Sequence, residues 1–175
     1  MKKIIVIITL FATVLITNAQ VVQNTFMKCS FGMKKEVCYN SLVEQGYRVN
    51  YDYKYNTLIV NFPSGVWIGG EYFKDAIFYF NISNELSGVG YYITYANLSD
   101  AMIRFYDIQE NLKKTYNISK SFMTINELGA LDSYKYEDNN HKIVELTLSK
   151  EDNGFPISLT YTNFFYYSKG TSDKF

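Results

Sequence analysis

The chain has 175 residues, with 17 basic and 17 acidic side chains, so its formal charge is zero. A near-neutral chain lacks the electrostatic footprint that nucleic acid or anionic lipid requires. One histidine and two cysteines leave a zinc site of the ordinary kind almost no ligands, and no motif calls for a cofactor.

Met1-Lys2-Lys3 forms a short positive segment, followed by an apolar run from Ile4 to Ile16 and then Thr17-Asn18-Ala19-Gln20. Small residues at Thr17 and Ala19 predict a secretory signal peptide over 1–19, cut after Ala19. The apolar run is shorter than the roughly 20 residues that cross a bilayer. No basic stop-transfer cluster follows it, and no cysteine stands at the cut to carry a lipid. The expected address is periplasmic or secreted, with no membrane span after cleavage. The Phe, Tyr, Ile, Asn and Lys-rich composition points to a bacterium by association. Residues 20–175 then make a single domain with a loose tail from about residue 169.

Phe26 to Phe31 reads as a short strand or extended arm. From Met33 the pattern turns helical: Cys38 and Leu42 lie four apart, and Gly46 stands where a helix over 34–45 would stop. Tyr47, Val49, Tyr51 and Tyr53 alternate with polar residues as in a half-wet strand, and Leu58, Val60 and Phe62 continue the period. Pro63-Ser64-Gly65 reads as a turn, and Gly69-Gly70 as a break after Val66-Trp67-Ile68. Ala76 to Phe80 suits a central strand, and Val89, Tyr91, Ile93 and Tyr95 alternate again. Ser99 is the expected cap of a helix over 99–116, whose apolar stripe runs Met102, Phe105, Ile108, Leu112, Tyr116. A polar stretch covers 119–131. Two strands close the chain, His141 to Ser149 and Ile157 to Phe164, joined by a hairpin at Glu151-Asp152-Asn153-Gly154. The fold class is therefore α+β, an antiparallel meander with two helices packed on one side. Tyr53-Lys54-Tyr55 and Tyr134-Lys135-Tyr136 each follow a helix. They suggest a duplicated helix-plus-strands unit, or chance likeness in a tyrosine-rich chain.

Phe31-Gly32-Met33-Lys34-Lys35-Glu36-Val37-Cys38, with Leu42 and Gly46 behind it, resembles the opening of small secreted bacterial domains in which a helix packs on an antiparallel sheet. The outer-membrane-assembly lipoproteins of the SmpA/OmlA type and the β-lactamase-inhibitor-protein fold share that layout. Uncharacterised periplasmic proteins of Bacteroidetes also carry a glycine-containing strand like Ile68-Gly69-Gly70-Glu71-Tyr72. The resemblance covers about a third of the chain and implies a fold, a compartment and, by analogy, protein binding. Lys34 replaces the usual capping Ser or Thr, Asn117 replaces a glycine, and the lipid-bearing cysteine of the assembly lipoproteins is missing.

Chemistry-bearing residues are few. Cys29 and Cys38 could form a disulfide in an oxidising compartment or fill apolar positions as free thiols. His141, in a turn entering a strand, would need an acid to orient it as a base, and Glu145 lies four residues on, on the same strand face but far away. Glu71, Asp75 and Asp52 are the carboxylates a glycosidase would draw on, but any chain with 17 acids offers such trios. The aromatic content stands out, with 17 Tyr, 13 Phe and one Trp. A single sheet layer has two faces and two helices cover one. The other is therefore expected to present Trp67, Tyr72, Tyr79 and Tyr92 as binding residues, unless the segment 119–131 and the tail cover them. These features predict a non-catalytic module that binds a protein partner in the cell envelope. A glycan-binding module is the second reading, and a carboxylate-dependent hydrolase the third.

Overall fold

A computed structural model describes residues 22–116 and 130–168. The expectations for the leader and its cleavage site, for Asn117, for nearly all of the polar stretch and for the tail lie outside these residues. Among the described residues, no helix is long and apolar enough to cross a membrane.

The described residues open with a two-stranded hairpin, β1 (Thr25–Phe26) and β2 (Cys29–Ser30), and then α1 (Lys35–Glu44). Lys34 offers α1 no side-chain cap. Its ammonium instead reaches the Ser83 carbonyl and the Glu85 carboxylate, while the Lys35 N–H donates to the Asn84 carbonyl at 2.8 Å. The start of the helix is thus held by a loop some fifty residues downstream, which supplies the satisfaction a local cap would have given.

Strands β3 (Arg48–Asp52), β4 (Thr57–Ile68), β5 (Glu71–Phe80) and β6 (Leu86–Tyr95) follow as a meander. Next come α2 (Leu98–Tyr116), the second meander β7 (Ala130–Glu137), β8 (Lys142–Ser149) and β9 (Phe155–Asn163), and a short α3 (Phe164–Ser168). The described strands form one seven-stranded antiparallel sheet in the order β3-β4-β5-β6-β9-β8-β7, beside the small β1-β2 hairpin. The fold is α+β, as the alternation predicts.

Register places one row of large side chains across the whole sheet: Tyr51, Leu58, Phe78, Val89, Tyr161, Val144 and Tyr136. A second row is Val49, Val60, Ala76, Tyr91, Leu159, Leu146 and Tyr134. Both helices lie on this face. Tyr39 of α1 stacks on Tyr51 at 4.8 Å between ring centroids, and Tyr116 of α2 stacks on Tyr136 at 5.3 Å. Between them Phe26 of the N-terminal arm packs on Tyr161 at 5.1 Å. Leu42, Phe105, Ile108 and Leu112 are buried, as expected.

Five local readings need correction. Pro63–Gly65 is a bulge inside β4 where pairing with β5 shifts register between Asn61 and Val66, not a turn. Proline has no N–H to lose there, and Gly65 takes a left-handed φ of 64°. Asn97, not Ser99, caps α2: its side-chain carbonyl accepts the Asp100 N–H at 2.9 Å, which places Ser99 already within the first turn. Ala101 takes the inward place expected of Met102, which is exposed, because the stripe 101, 105, 108, 112, 116 follows the helical period more closely. The two Tyr-Lys-Tyr segments are not equivalent, since Tyr53-Lys54-Tyr55 sits in the β3–β4 turn and Tyr134-Lys135-Tyr136 in a strand. Finally, β9 ends at Asn163, whose side chain accepts the Phe165 N–H and turns Phe164 into α3.

Leu112 is 2 % exposed at the middle of this stripe. Leu112→Ala is expected to cost about 2–5 kcal/mol through lost transfer energy and the cavity left behind. A urea denaturation midpoint lowered with an unchanged slope is the readout; an unshifted midpoint would refute the packing.

Candidate binding face

The opposite face of the sheet carries no described helix. Its rows run Asn61, Asp75, Tyr92, Ser158, Thr147, Ser133 and Ile59, Ile77, Gly90, Thr160, Glu145, Lys135. Hydroxyls, amides and small side chains dominate, as expected where strands meet water on one side. Asn61 donates to the Asp75 carboxylate at 2.9 Å, and Ser133 and Thr147 share a hydroxyl contact at 3.4 Å.

The four aromatic residues predicted for this face fall into two pairs. Tyr79 and Tyr92 lie at its centre, both half-buried within the chain, with their hydroxyls hydrogen-bonded to each other. Tyr79 flanks Gly88, and Tyr92 folds back over Gly90, where an added Cβ would come within 2.7 Å of the Tyr92 hydroxyl oxygen. The two glycines leave room for the rings to lie flat on the sheet. Burial, and then the bond to Tyr92, pushes the Tyr79 phenol well up. Trp67 and Tyr72 form the second pair, directly opposed across β4 and β5 with ring centroids 6.2 Å apart. Tyr72 rests on Gly65, where any side chain would collide with its ring. Trp67 is 70 % exposed and Tyr72 40 %. Phe73 and Glu71, the strand neighbours of Tyr72, turn inward, so Tyr72 points away from the helix layer, and Trp67, directly opposed to it, shares that side. The end of this hairpin bends over α2: Asn111 donates to the Gly69 carbonyl at 3.3 Å.

The three candidate carboxylates do not converge. Glu71 is buried on the helix side, accepting hydrogen bonds from the Tyr72 N–H at 2.8 Å and the Tyr95 hydroxyl at 3.0 Å, with the Arg104 guanidinium 3.7 Å away. Asp75 is on the open face with Asn61. Asp52 accepts the Lys54 and Tyr55 N–H groups and so shapes the β3–β4 turn. Each acid thus has a structural task. The shallow hollow lined by Tyr95, Asp100, Ile103 and Arg104 adds only Asp100, which accepts from Asn97 at 2.7 Å. His141 is exposed in the β7–β8 turn at φ 56°, outside β8, and its acid partner is Glu137 at 2.8 Å, not Glu145. Among the described residues no cluster of His, Cys, Asp and Glu has the make-up of a metal site.

Cys29 and Cys38 are buried free thiols that face each other, with the Cys29 thiol 3.7 Å from the Cys38 carbonyl. The hydrogen bond to Cys29, together with burial, holds the Cys38 proton far more tightly than usual.

One aromatic cluster has no counterpart in the sequence reading. Tyr39, Tyr51 and Tyr53 form a continuous stack, with Lys35 over Tyr51 at 5.6 Å and Lys54 over Tyr55 at 4.7 Å. The period of two links Tyr51 to Tyr53, but nothing in the sequence places Tyr39 beside them.

Compared with protein-family models, with curated proteins and with solved structures, the chain matches none.

Two tests follow from this geometry. Burial pushes the phenols of Tyr95 and Tyr134 up to about 12, helped in Tyr95 by its bond to Glu71. In the unfolded chain both would ionise near pH 10. Their contribution to stability is complete below that pH and is lost as pH rises through about 12. A phenolate absorbance titration should show a late class of tyrosines, with urea midpoints falling over the same window. A single class titrating near pH 10 in folded protein would contradict the burial. In reduced native protein neither cysteine should take up iodoacetamide, and both should do so after unfolding. Native labelling of either thiol, read by intact mass, would show that the arm does not cover α1.

Proposed function

We propose that the protein is a non-catalytic binding module of the periplasmic or secreted space, which engages a protein partner of the cell envelope through the sheet face its helices leave open. The exposed Trp67–Tyr72 pair carries this reading. Burying large amphipathic rings gives much contact energy for little lost side-chain freedom, which is why Trp and Tyr dominate interface hot spots. Trp67 is 70 % exposed on the back of a hairpin that is braced against α2, so the ring is presented by a supported element. Tyr79 and Tyr92 extend the aromatic surface toward the sheet centre, and the Ser/Thr rows around them can form a polar rim. The dispersal of Glu71, Asp75 and Asp52 weighs against a carboxylate-dependent hydrolase.

A glycan-binding module is the second reading, favoured by the free face of Trp67 beside Tyr72 and by hydroxyl-rich rows that suit sugar hydroxyls. Trp67 is the single tryptophan, so its fluorescence reports on either ligand.

The deciding measurement is crosslinking capture from the protein's own envelope fraction, run beside a fluorescence titration with oligosaccharides. Trp67→Ser combined with Tyr72→Ser should lower recovery of a defined partner about tenfold or more while circular dichroism stays unchanged. Recovery unaffected by that pair and by Tyr79→Ser with Tyr92→Ser would overturn the protein-binding reading. A saturable fluorescence change with oligosaccharide alone would replace it with the glycan one.

A further inference from the structure

The sheet has two outer strands, and they are unlike. β3 is hydrogen-bonded to β4 along one edge, and no described strand pairs with its other edge. An open edge is a row of unsatisfied N–H and C=O groups, ready to template another strand. Arg48, Asn50 and Asp52 point to the open face of the sheet, while Val49 and Tyr51 point to the helix side. Arg48 is exposed and, among the described residues, makes no ion pair. Tyr53, just past the strand, is 83 % exposed although it stacks on Tyr51.

We propose that β3 pairs antiparallel with β3 of a second copy of this chain, about a two-fold axis at Asn50, joining the two sheets edge to edge. Directly opposed residues in an antiparallel pair lie on the same face. A two-fold axis perpendicular to the sheet therefore allows only registers that oppose odd with odd and even with even. With Asn50 opposite itself, Arg48 of each copy faces Asp52 of the other, Val49 faces Tyr51, and beyond the strand ends Tyr47 faces Tyr53. Both charged positions find an opposite charge, and the exposed Tyr53 ring gains an aromatic neighbour. A shift that centres the pair on Tyr51 brings Arg48 against Lys54, a like charge. A shift that centres it on Val49 leaves Asp52 opposite Gly46. Charge thus selects one register.

The other edge does not offer this. Centring β7 on Tyr134 sets Lys135 against Ser133 and Glu137 against Leu131. The register that opposes Lys135 to Glu137 overlaps only the last residues of the strand, so no full-length self-pairing of β7 matches its charges.

Exposed cross-strand ion pairs contribute little on their own, so here they choose the register while backbone hydrogen bonds hold the strands. A five-residue edge makes a small interface, and the dimer is accordingly a reversible, concentration-dependent one. The proposal concerns an edge, not the open face, and stands or falls separately from the binding role assigned to Trp67 and Tyr72.

Sedimentation equilibrium of the purified protein should show an average mass rising from one chain toward two with concentration. Arg48→Asp and Asp52→Lys, each alone, oppose like charges at both contacts and should weaken self-association about tenfold. Mixed together, the two variants set the introduced aspartate against the introduced lysine at one contact and keep the native Arg48 against the native Asp52 at the other. The mixture should therefore recover a heterodimer of the original affinity. Asn50→Cys adds a second readout: the two new thiols face each other across the axis. Dioxygen with a copper catalyst should oxidise them to one disulfide, the oxygen accepting the two electrons and two protons released. Lys135→Cys on β7 should stay uncrosslinked. A monomer at every concentration, which is also the result expected if the edge serves a strand of another protein, overturns the proposal. So does a mixture no tighter than its parts, or crosslinking at position 135 as efficient as at position 50.

Discussion

The pairing of strand β6 with β9 is the contact on which the rest of the structure depends, because it alone among the described strand pairs joins the two halves of the chain, and β6 is its partner from the first half. The first edge of β6 pairs with β5 and closes the meander that follows α1. Its second pairs with β9 along eight residue positions and docks the meander that follows α2. Tyr91 sits at the crossing, with Phe73 at 5.7 Å, Tyr161 at 6.3 Å and its hydroxyl on the Met27 sulfur at 3.4 Å. One ring thus touches both halves and the N-terminal arm. Burial drives its phenol strongly upward and so favours the neutral ring. Helix-then-meander occurs twice in the element order, and the two units share one sheet only because β6 and β9 accept each other's edges.

Pairing the halves edge to edge instead of face to face has a cost. Two sheets stacked as a sandwich would have covered each other's apolar rows. A single layer needs a second layer of another kind, and α1, α2 and the arm provide it on one side. The opposite side must then tolerate water, which explains why its rows are mostly Ser, Thr, Asn, glycine and charged residues, with Ile59, Ile77 and a few large rings among them. Gly88 and Gly90 belong to this arrangement. Both lie on β6, where glycine weakens a strand, and both leave space that Tyr79 and Tyr92 occupy. The rings restore cover over backbone that the glycines expose, and their joined hydroxyls keep the polar ends satisfied.

The strand period carried most of the fold, since Val89, Tyr91 and Ile93, or Val144, Leu146 and Leu148, show their inner face by alternation alone. Helix α2 was legible for the same reason at its own period, although the stripe drifted by one residue at Met102 because Ala101 is too small to stand out. The strand order was not legible: nothing local to β9 says that its partner is β6. The bulge at Pro63–Gly65 was missed because proline and glycine signal a turn and an irregularity with the same letters. The cap was missed because Asn97 and Ser99 are both capping residues, and only the path of the chain decides between them. For the candidate face, alternation alone sets Tyr79 and Tyr92 opposite the inward rows but would have turned Tyr72 inward, and it does not show that the rings form two separate pairs. That division depends on the glycines beneath them and on the bend of one hairpin.

The bulge also decides which aromatics are exposed. Along β5, Ala76, Phe78 and Phe80 face the helices, and so do Glu71 and Phe73, although strict alternation from Ala76 would have turned Tyr72 and Lys74 inward. The strand changes phase between Phe73 and Ala76, opposite the irregular stretch of β4 where pairing jumps from Asn61 to Val66. A one-residue change of phase inverts every side chain beyond it. Without it, Tyr72 would carry a hydroxyl into the core beside Tyr91, and Phe73 would stand in water. With it, the ring lacking a polar group is buried, and the ring bearing one lies outside on Gly65 next to Trp67. The inner packing gains from this choice at Phe73. Position 67 points outward beside Tyr72, so the phase change that buries Phe73 also sets the two amphipathic rings side by side on the outside of the hairpin.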